Sequence, residues 1–462
     1  MIGAFTLSEL ASELGLSVTL SALKKDATFS AVTTDSRNMS AGDLYVALKG
    51  ERFNGDEFVE EALTKGAVAA VTHQSDAQAD AQRLVVDDTL SALATLARLN
   101  RDRSSAKVIA LTGSQGKTSV KEMIGSILKA RAPTLITAEN LNNTIGVPLT
   151  LLRLEARHEF AVIEMGANGA GEIAVSVAAT KPDIALITKA SAAHIEGFGS
   201  LEGIVLAKGE IIEGLSDKGV AVLNANDPNC QQWVKRAGQR QVRLFSYGNK
   251  VPEADYRCSA TRLLVGGNVA FTLYTPLGEI DAEIQLLGSH NAENALSAAA
   301  CALEAGASLD DVRIGLKQAT PVPGRLFPST GREGCRLLDD TYNANPDSFH
   351  AAIDVLMSAE GEKVMVAGEM RELGDETESS HREVGEYAAR HGVPLLLALG
   401  DDCAAMVEAY LEAGGMRAKH YSDREALEKD CVDLANSETV FLVKGSRGAR
   451  METVVAALST EG

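Results

Sequence analysis

The chain has 462 residues, of which 45% are hydrophobic and 23% charged, so its composition is that of a globular protein rather than a disordered one. Its formal net charge of −19 opposes binding to nucleic acid or to anionic membranes. No apolar run approaches the ~20 residues of a membrane span, and the first residues do not resemble a signal peptide. Six scattered cysteines predict reduced, buried thiols. We therefore expect a cytoplasmic protein of about three domains.

The first 86 residues predict a small α/β domain. Strand-like segments at residues 44–48, 67–71 and 83–86 alternate there with helical ones. This alternation predicts a domain over residues 1–86, but by itself it does not predict what the domain binds.

Residues 113–118, with the sequence GSQGKT, follow the apolar segment 108–111 and precede a predicted helix. A strand, a glycine-rich turn and a helix N-terminus bind phosphate groups, because backbone N–H groups and the helix dipole both favour anions. Lys117 would add a full positive charge, and the Thr118 hydroxyl would hold Mg²⁺. The glycine spacing is shorter than usual, since Leu111 stands six residues before Lys117. The predicted phosphate-binding residues are Gly113, Ser114, Gln115, Gly116, Lys117, Thr118 and Ser119.

Further apolar strands are predicted at residues 160–163, 183–188 and 220–223, each followed by a polar turn and a helix. This pattern is typical of a parallel sheet covered on both faces. Glu164 ends one strand and His194 follows another, so both belong to the sheet edge where ligands gather. We predict that Glu164 binds Mg²⁺ beside the phosphate loop and that His194 is a ligand of a second metal ion.

The next helices carry less information. Lys208 stands at the start of a predicted helix, where a lysine is most often solvated. Asn291 and Asn294 lie where the alanine-rich helix predicted over residues 292–305 begins. They either cap that helix or bind the edge of an adenine.

A boundary rich in proline at residues 321–324 precedes three more buried strands, predicted at 363–367, 394–399 and 440–443. They indicate a second doubly wound α/β unit, which lacks the GxGxxG sequence of nicotinamide- and flavin-binding domains. Polar residues gather at 339–348, either as a simple turn or as part of a site. A turn suited to a carboxylate follows the last strand and contains Lys444, Ser446 and Arg447.

Taken in order along the whole chain, these motifs resemble the Mur ligase family. The stretches that carry the resemblance are residues 34–37, 42–48, 53–55, 112–123, 140–149, 165–168 and 340–345. The first three are similar to the family's uridine-nucleotide domain, and the fourth to its phosphate loop with the short glycine spacing. The last three are similar to the branch of the family that adds a dipeptide.

The resemblance implies three domains: residues 1–86 bind the UDP-linked substrate, 87–320 bind ATP, and 321–462 form a Rossmann-like domain. The last domain would bind the dipeptide and complete the ATP site. The resemblance also implies that Lys208 is N-carboxylated, which turns an ammonium into an anion that binds a second Mg²⁺ with His194. Thr118 and Glu164 would hold the first Mg²⁺.

Other roles follow from the same resemblance. The implied catalytic residues are Lys117, Lys208, His194 and Arg325. Beyond the phosphate loop, the implied ATP contacts are Asn291, Asn294, Arg325 and Asp340. The implied substrate contacts are Ser36, Arg37, Asn54, Asn142, Asn143, Thr144, Tyr342, Asn345, Lys444, Ser446 and Arg447.

The activity that the resemblance implies is ATP-dependent ligation of D-alanyl-D-alanine to UDP-N-acetylmuramoyl-tripeptide through an acyl phosphate, in peptidoglycan synthesis, by a monomer. One alternative is another amide ligase of the superfamily, namely a folylpolyglutamate synthase or a diaminopimelate- or lysine-adding Mur ligase. The uridine-type first domain argues against the former, and the loop at residues 142–143 and the missing DNPR sequence argue against the latter. A second alternative is a nucleotide switch that binds ATP without ligation.

Overall fold

The computed structural model describes residues 1–16, 27–50, 53–73, 82–191, 195–248, 250–264 and 268–459. Three main β-sheets follow one another along the chain, each with its own helices. The predicted fold class is thereby confirmed: a small α/β domain, a parallel-sheet nucleotide-binding domain and a Rossmann-like domain.

The first sheet lies in the N-terminal region. That region contains β1 (Phe5–Thr6), α1 (Leu7–Glu13), β2 (Thr28–Phe29), β3 (Val32–Thr33), β4 (Leu44–Val46), β5 (Lys49–Gly50), β6 (Phe53–Asn54), α2 (Val59–Thr64), β7 (Ala69–Thr72), β8 (Arg83–Val85) and α3 (Thr89–Asp102). The sheet has the order β3-β4-β7-β8 and is parallel. Two small antiparallel pairs, β1–β2 and β5–β6, lie outside it.

The second sheet is the largest. Its region contains β9 (Lys107–Thr112), α4 (Lys117–Lys129), β10 (Thr134–Ile136), α5 (Gly146–Leu151), β11 (Phe160–Glu164), α6 (Glu172–Thr180), β12 (Ile184–Ile187), α7 (Ile195–Phe198), α8 (Leu201–Glu213), β13 (Val220–Asn224), α9 (Cys230–Ala237), β14 (Gln241–Tyr247), β15 (Tyr256–Cys258), β16 (Arg262–Leu263), β17 (Val269–Thr275), β18 (Gly278–Ile284), α10 (His290–Glu304) and α11 (Leu309–Gln318).

This sheet has the order β10-β11-β9-β12-β13-β14-β15-β17-β16, with β18 paired to β17. It is parallel from β10 to β15 and antiparallel beyond. Helices cover both faces of the parallel part, and for this reason its strands read as continuous apolar runs. The strands after β9 are added first on one side of it, as β10 and β11, and then on the other side, beginning with β12. The loop after β9 therefore lies at the point where the strand order reverses, which is where ligands bind in such sheets.

The third sheet lies in the C-terminal region. It is formed with β19 (Phe327–Thr330), β20 (Arg336–Asp340), α12 (Pro346–Ser358), β21 (Glu362–Gly368), α13 (Thr377–Arg390), β22 (Leu396–Leu399), α14 (Cys403–Glu412), β23 (Ala418–Tyr421), α15 (Arg424–Leu434), β24 (Thr439–Lys444) and α16 (Glu452–Leu458). The order is β19-β20-β24-β21-β22-β23, and only β19 is antiparallel to its neighbour. The ends of β20 and β24 place Asp340 opposite Lys444.

Two expectations about side chains have definite outcomes. All six cysteines are free and buried, as predicted. The placement of Lys208 at the start of a helix was wrong, because α8 begins seven residues earlier, at Leu201. In the described part of the chain, no helix has both the length and the apolar character needed to cross a bilayer.

Candidate active site

The phosphate loop joins β9 to α4 and has a conformation suited to an anion. Gly116, just before α4, has a left-handed backbone with φ of 77°. A Cβ atom there would lie 2.5 Å from Asn294 Oδ1, and one on Gly113 would lie 1.8 Å from Thr188 Oγ1. Both contacts are therefore possible only because glycine has no side chain. Since α4 begins without a side-chain cap, the N–H groups of its first turn can bind a phosphate group.

Lys117 is the first residue of α4, and its ammonium is held inside the loop. Its Nζ donates a hydrogen bond to the Gly113 carbonyl at 2.7 Å. Desolvation in the cleft lowers the pKa of Lys117; Glu164 opposes this effect and Arg325 adds to it. A phosphate group in the loop offers this ammonium a stronger, anionic acceptor than the carbonyl.

Glu164 ends β11 and is 1% exposed. Its Oε1 accepts hydrogen bonds from Asn142 Nδ2 at 2.8 Å and from Thr118 Oγ1 at 3.3 Å. Among the described residues, Oε2 has no hydrogen-bond partner, and Lys121 Nζ lies 3.7 Å from it. A buried carboxylate oxygen of this kind, beside a threonine hydroxyl, fits Mg²⁺.

Side chains that commonly bind metal ions are not clustered in the described part of the chain. Among the described residues there is no group of three or more His, Cys, Asp or Glu side chains suited to a metal ion. His194, the predicted ligand of a second ion, lies outside the described residues.

Lys208 lies in the middle of α8 and is 5% exposed, so the expectation of a solvated lysine was wrong. Burial lowers the pKa of Lys208 to about 7, and the charge of Lys117 adds to the effect. Its Nζ is 5.9 Å from the centre of the Phe198 ring. At neutral pH a large share of this amine is therefore unprotonated and nucleophilic.

Asn291 and Asn294 lie on the first turns of α10. Asn291 Nδ2 donates to the Leu287 carbonyl at 2.7 Å, and Asn294 Nδ2 donates to Asn291 Oδ1 at 2.9 Å. The residue that precedes the helix is Ser289, without a side-chain cap. The capping interpretation was therefore wrong: both residues line the cleft instead, and Asn294 lies beside Gly116 of the phosphate loop.

The C-terminal domain contributes its own charged groups. The Arg325 guanidinium lies 4.3 Å from the centre of the Tyr342 ring. Asp340 Oδ2 accepts from Lys444 Nζ at 2.5 Å, and Lys444 is almost fully buried. Asn345 caps α12 by accepting from the Ser348 N–H at 2.9 Å.

These groups meet in one cleft of about 460 Å³ between the central and C-terminal domains. The predicted residues that line it are Ser114, Gln115, Gly116, Lys117, Ser119, Asn142, Asn143, Glu164, Lys208, Asn291, Asn294, Arg325, Asp340, Tyr342, Asn345 and Lys444. A second cavity of about 600 Å³ shares Arg325 and Tyr342 with the cleft and is also lined by Thr118, Ser446 and Arg447.

Five of the predicted residues that the structure describes line neither cavity. Gly113 is the first residue of the phosphate loop, just after β9, and Thr144 lies in the segment before α5. The other three lie in the N-terminal domain: Ser36 is buried, Arg37 pairs with Asp35, and Asn54 caps a short helix. Their contacts to a substrate stay a prediction.

Two lysines that line these cavities, Lys189 in the cleft and Lys121 in the second cavity, had no role assigned from the sequence. Lys189 lies two residues after the end of β12, and its Nζ pairs with Asp347 Oδ2 of the C-terminal domain at 2.9 Å. The rule that ligands gather at strand ends would have found Lys189. Lys121 lies one turn after Lys117 on α4 and is almost fully buried beside Glu164. Its spacing of four residues from Lys117 was the available signal.

Comparisons with known proteins agree with this geometry. Models for the Mur ligase family catalytic domain, the Mur ligase middle domain and the Mur ligase glutamate ligase domain match residues 28–101, 111–302 and 324–447. The UDP-N-acetylmuramoyl-tripeptide–D-alanyl-D-alanine ligase of Escherichia coli (strain K12) is 45% identical over 439 residues, which cover 95% of each chain.

Solved structures point the same way. The crystal structure of MurF from Acinetobacter baumannii is similar over 98% of each chain, with a TM-score of 0.89 and 35% identity. The MurF ligase from Thermotoga maritima in complex with ADP covers 92% of this chain and 96% of its own, with a TM-score of 0.82 and 27% identity.

Proposed function

The chain belongs to the Mur ligase family, and from this premise we propose that its cleft adds D-alanyl-D-alanine to UDP-N-acetylmuramoyl-tripeptide with conversion of ATP to ADP and phosphate. It is an ATP-dependent ligase of peptidoglycan synthesis, and this function stands over the alternatives of another amide ligase or a nucleotide switch. The observation that carries the proposal is the cleft itself, in which Lys117, Glu164 and Arg325 surround one space.

The reaction needs an activated carboxylate. The terminal carboxylate of the tripeptide attacks the γ-phosphorus of ATP, which gives an acyl phosphate and ADP. Lys117 from the central domain and Arg325 from the C-terminal domain offset the charge on the phosphoryl group. The amine of D-alanyl-D-alanine then attacks the acyl carbon, an amide bond forms and phosphate leaves.

Two Mg²⁺ ions are part of the proposal. Bound Mg²⁺ offsets phosphate charge and polarises the phosphoryl oxygens. Thr118 and Glu164 would hold the first ion, and the support is the buried Glu164 Oε2 without a hydrogen-bond partner among the described residues. Lys208 and His194 would hold the second.

Lys208 can act as a metal ligand only after its charge is changed. An unprotonated amine adds to CO₂ and forms a carbamate, which is an anion with two oxygen atoms. The burial that lowers the pKa of Lys208 to about 7 makes this amine available near neutral pH. We propose N-carboxylation of Lys208 on this ground.

The substrates are proposed to span all three domains. The UDP group lies against Ser36, Arg37 and Asn54 of domain 1–86, and the tripeptide passes Asn142, Asn143 and Thr144. ATP lies on domain 87–320, with Asn291 and Asn294 at the adenine and Asp340 at the ribose. Domain 321–462 places the dipeptide beside Tyr342, Ser446 and Arg447, which line the second cavity, and beside Asn345 and Lys444, which line the first. We also propose that the protein acts as a monomer. Its proposed place is the cytoplasm, for which the six free, buried thiols are the support.

The test is phosphate release from ATP in the presence of Mg²⁺, the UDP-linked tripeptide and D-alanyl-D-alanine, with each component omitted in turn. We expect release only with the complete mixture, together with a UDP-linked pentapeptide detected by mass. Lys117→Ala should abolish release with its circular dichroism unchanged, whereas Lys129→Ala, on the exposed end of α4, should behave as the wild type. Release without the UDP-linked substrate would contradict the proposal.

A further inference from the structure

Lys121 is a buried cation that the reaction above does not use. It lies on α4, one turn after Lys117, and is 1% exposed. Lysine is rarely buried so completely unless it is paired. Its Nζ lies 3.1 Å from Glu122 Oε1 and 3.7 Å from Glu164 Oε2.

The same ammonium contacts a loop. Lys121 Nζ donates to the Glu139 carbonyl at 3.4 Å. Glu139 has a left-handed backbone with φ of 44°, which costs a non-glycine residue about 1–2 kcal/mol. A strained residue of this kind needs a fixed partner, and the Lys121 ammonium is such a partner.

The loop and the ammonium hold Glu164 from two sides. Three residues beyond Glu139, Asn142 donates to Glu164 Oε1 at 2.8 Å. Lys121 faces the other oxygen, Oε2. Glu164 is thus oriented by an amide on one oxygen and by a cation on the other, and Lys121 supports both Glu164 and the loop that carries Asn142.

The position of Lys121 has an electrostatic cost that packing alone does not explain. Lys117 and Lys121 are like charges at i and i+4 on one helix, an arrangement that is unfavourable. An apolar residue would fill the same buried space without that repulsion. The pairs with Glu122 and Glu164 offset this cost, and the second of them places the charge beside the predicted metal-binding carboxylate.

We infer that Lys121 is a positioning residue for the ligase reaction: it orients Glu164 Oε2 and the loop at residues 139–143, and it competes with the divalent cation for that oxygen. This inference rests on the proposed function, in which Glu164 binds the first Mg²⁺. Two opposite consequences follow. Lys121 weakens cation binding through like-charge repulsion, and it accelerates turnover by holding the carboxylate and the loop in place.

The test separates these two effects. Free Mn²⁺ is measured by electron paramagnetic resonance while Mn²⁺ is titrated into enzyme that holds one equivalent of a non-hydrolysable ATP analogue. We expect Lys121→Met to bind Mn²⁺ about tenfold more tightly than the wild type. Its kcat should nevertheless fall by about 10- to 100-fold.

Two further variants guard against a folding defect. Lys121→Arg keeps the charge but moves it, so we expect Mn²⁺ affinity within about twofold of the wild type and a reduced kcat. Lys129→Met, on the same helix but exposed, should change neither quantity. A general loss of packing would instead weaken Mn²⁺ binding and lower kcat together.

The outcomes are distinct. Tighter Mn²⁺ binding with slower turnover in Lys121→Met supports the inference. Unchanged values, or weaker Mn²⁺ binding, overturn it. Glu164→Gln provides the baseline: if it binds Mn²⁺ as well as the wild type does, the metal role of Glu164 fails, and the proposed function must be revised rather than this inference alone.

Discussion

Three positive side chains from different elements act on one another around the cleft. Arg325 lowers the pKa of Lys117, and Lys117 lowers the pKa of Lys208, in each case after the larger effect of desolvation. The chain as a whole carries a net charge of −19, so its long-range field does not attract a nucleotide. The affinity for phosphate must come from these local cations, from helix N-termini and from metal ions.

The lowered pKa of Lys208 predicts a pH-dependent need for CO₂. Its ordinary value is 10.5 and burial brings it to about 7, so the amine becomes protonated, and unable to form a carbamate, as the pH falls through about 7. In CO₂-depleted buffer we expect activity to be low and to be restored by bicarbonate above that pH, with poorer restoration below it. Initial rates of phosphate release across the pH range measure this.

Lys208→Arg is the matched control for this experiment, because an arginine keeps its charge and forms no carbamate at neutral pH. We expect it to be inactive at every bicarbonate concentration. Wild-type rates that do not respond to bicarbonate at any pH would contradict the N-carboxylation of Lys208.

At the scale of secondary structure, a residue of α10 contacts the phosphate loop just before α4. Gly116 precedes α4, and Asn294 of α10 lies so close that a Cβ on residue 116 would be 2.5 Å from its Oδ1. The position of Asn294, proposed to lie at the adenine, thus depends on the absence of a side chain in the phosphate loop. One glycine thus connects the phosphate loop with the residue proposed to contact the adenine.

Gly116→Ala should therefore raise the KM for ATP, by roughly tenfold, because the new methyl group displaces Asn294 and the left-handed backbone costs about 1–2 kcal/mol. Steady-state kinetics with varied ATP measure the effect. Gly171→Ala is the matched control: Gly171 precedes α6 with φ of 86°, and no atom lies within 4 Å of the added Cβ.

Both variants carry similar backbone strain, so both should lower the melting temperature. Only Gly116→Ala should change the KM for ATP. Equal KM values in the two variants would show that Asn294 does not depend on this contact.

At the scale of the whole molecule, polar contacts join the central and C-terminal domains beside the phosphate loop. Gln115 Nε2 donates to Asn345 Oδ1 at 3.0 Å, and Lys189 Nζ pairs with Asp347 Oδ2 at 2.9 Å. Both partners of the ion pair are nearly half exposed, so it contributes less than about 1 kcal/mol. Such a contact stabilises a domain arrangement without locking it, as substrate entry and product release require.

Asp347→Asn should weaken this arrangement in the substrate-free protein. Losing up to about 1 kcal/mol across the interface shifts an open–closed equilibrium by up to about fivefold. We expect a larger radius of gyration by small-angle X-ray scattering, which saturating ATP and UDP-linked substrate reverse. High salt should have the same effect on the wild type, because it screens exposed charges.

Asp310→Asn is the control, since Asp310 pairs with Arg313 on the exposed surface of α11, within one element. It should leave the radius of gyration unchanged. The same radius in Asp347→Asn and the wild type would mean that this ion pair has no part in holding the two domains together.

Much of the fold and part of the site followed from the sequence. Local patterns predicted the buried strands, the phosphate loop and the position of Glu164, because each depends on a few neighbouring residues and on the rule that ligands gather at strand ends. The sequence around Lys208 did indicate that this residue is buried. Apolar residues occur on all faces of α8, which is typical of a buried helix.

Other features depended on residues far apart in the chain. A helical repeat tells which residues share a face, but not which element packs against that face. For this reason Lys121 gave no sign of its contact with Glu164, and Asn294 none of its contact with Gly116. The sequence by itself determined the elements, the phosphate loop and the family. The tertiary structure decided which charges meet in the cleft, because electrostatic interaction and desolvation depend on distance in space rather than on separation along the chain.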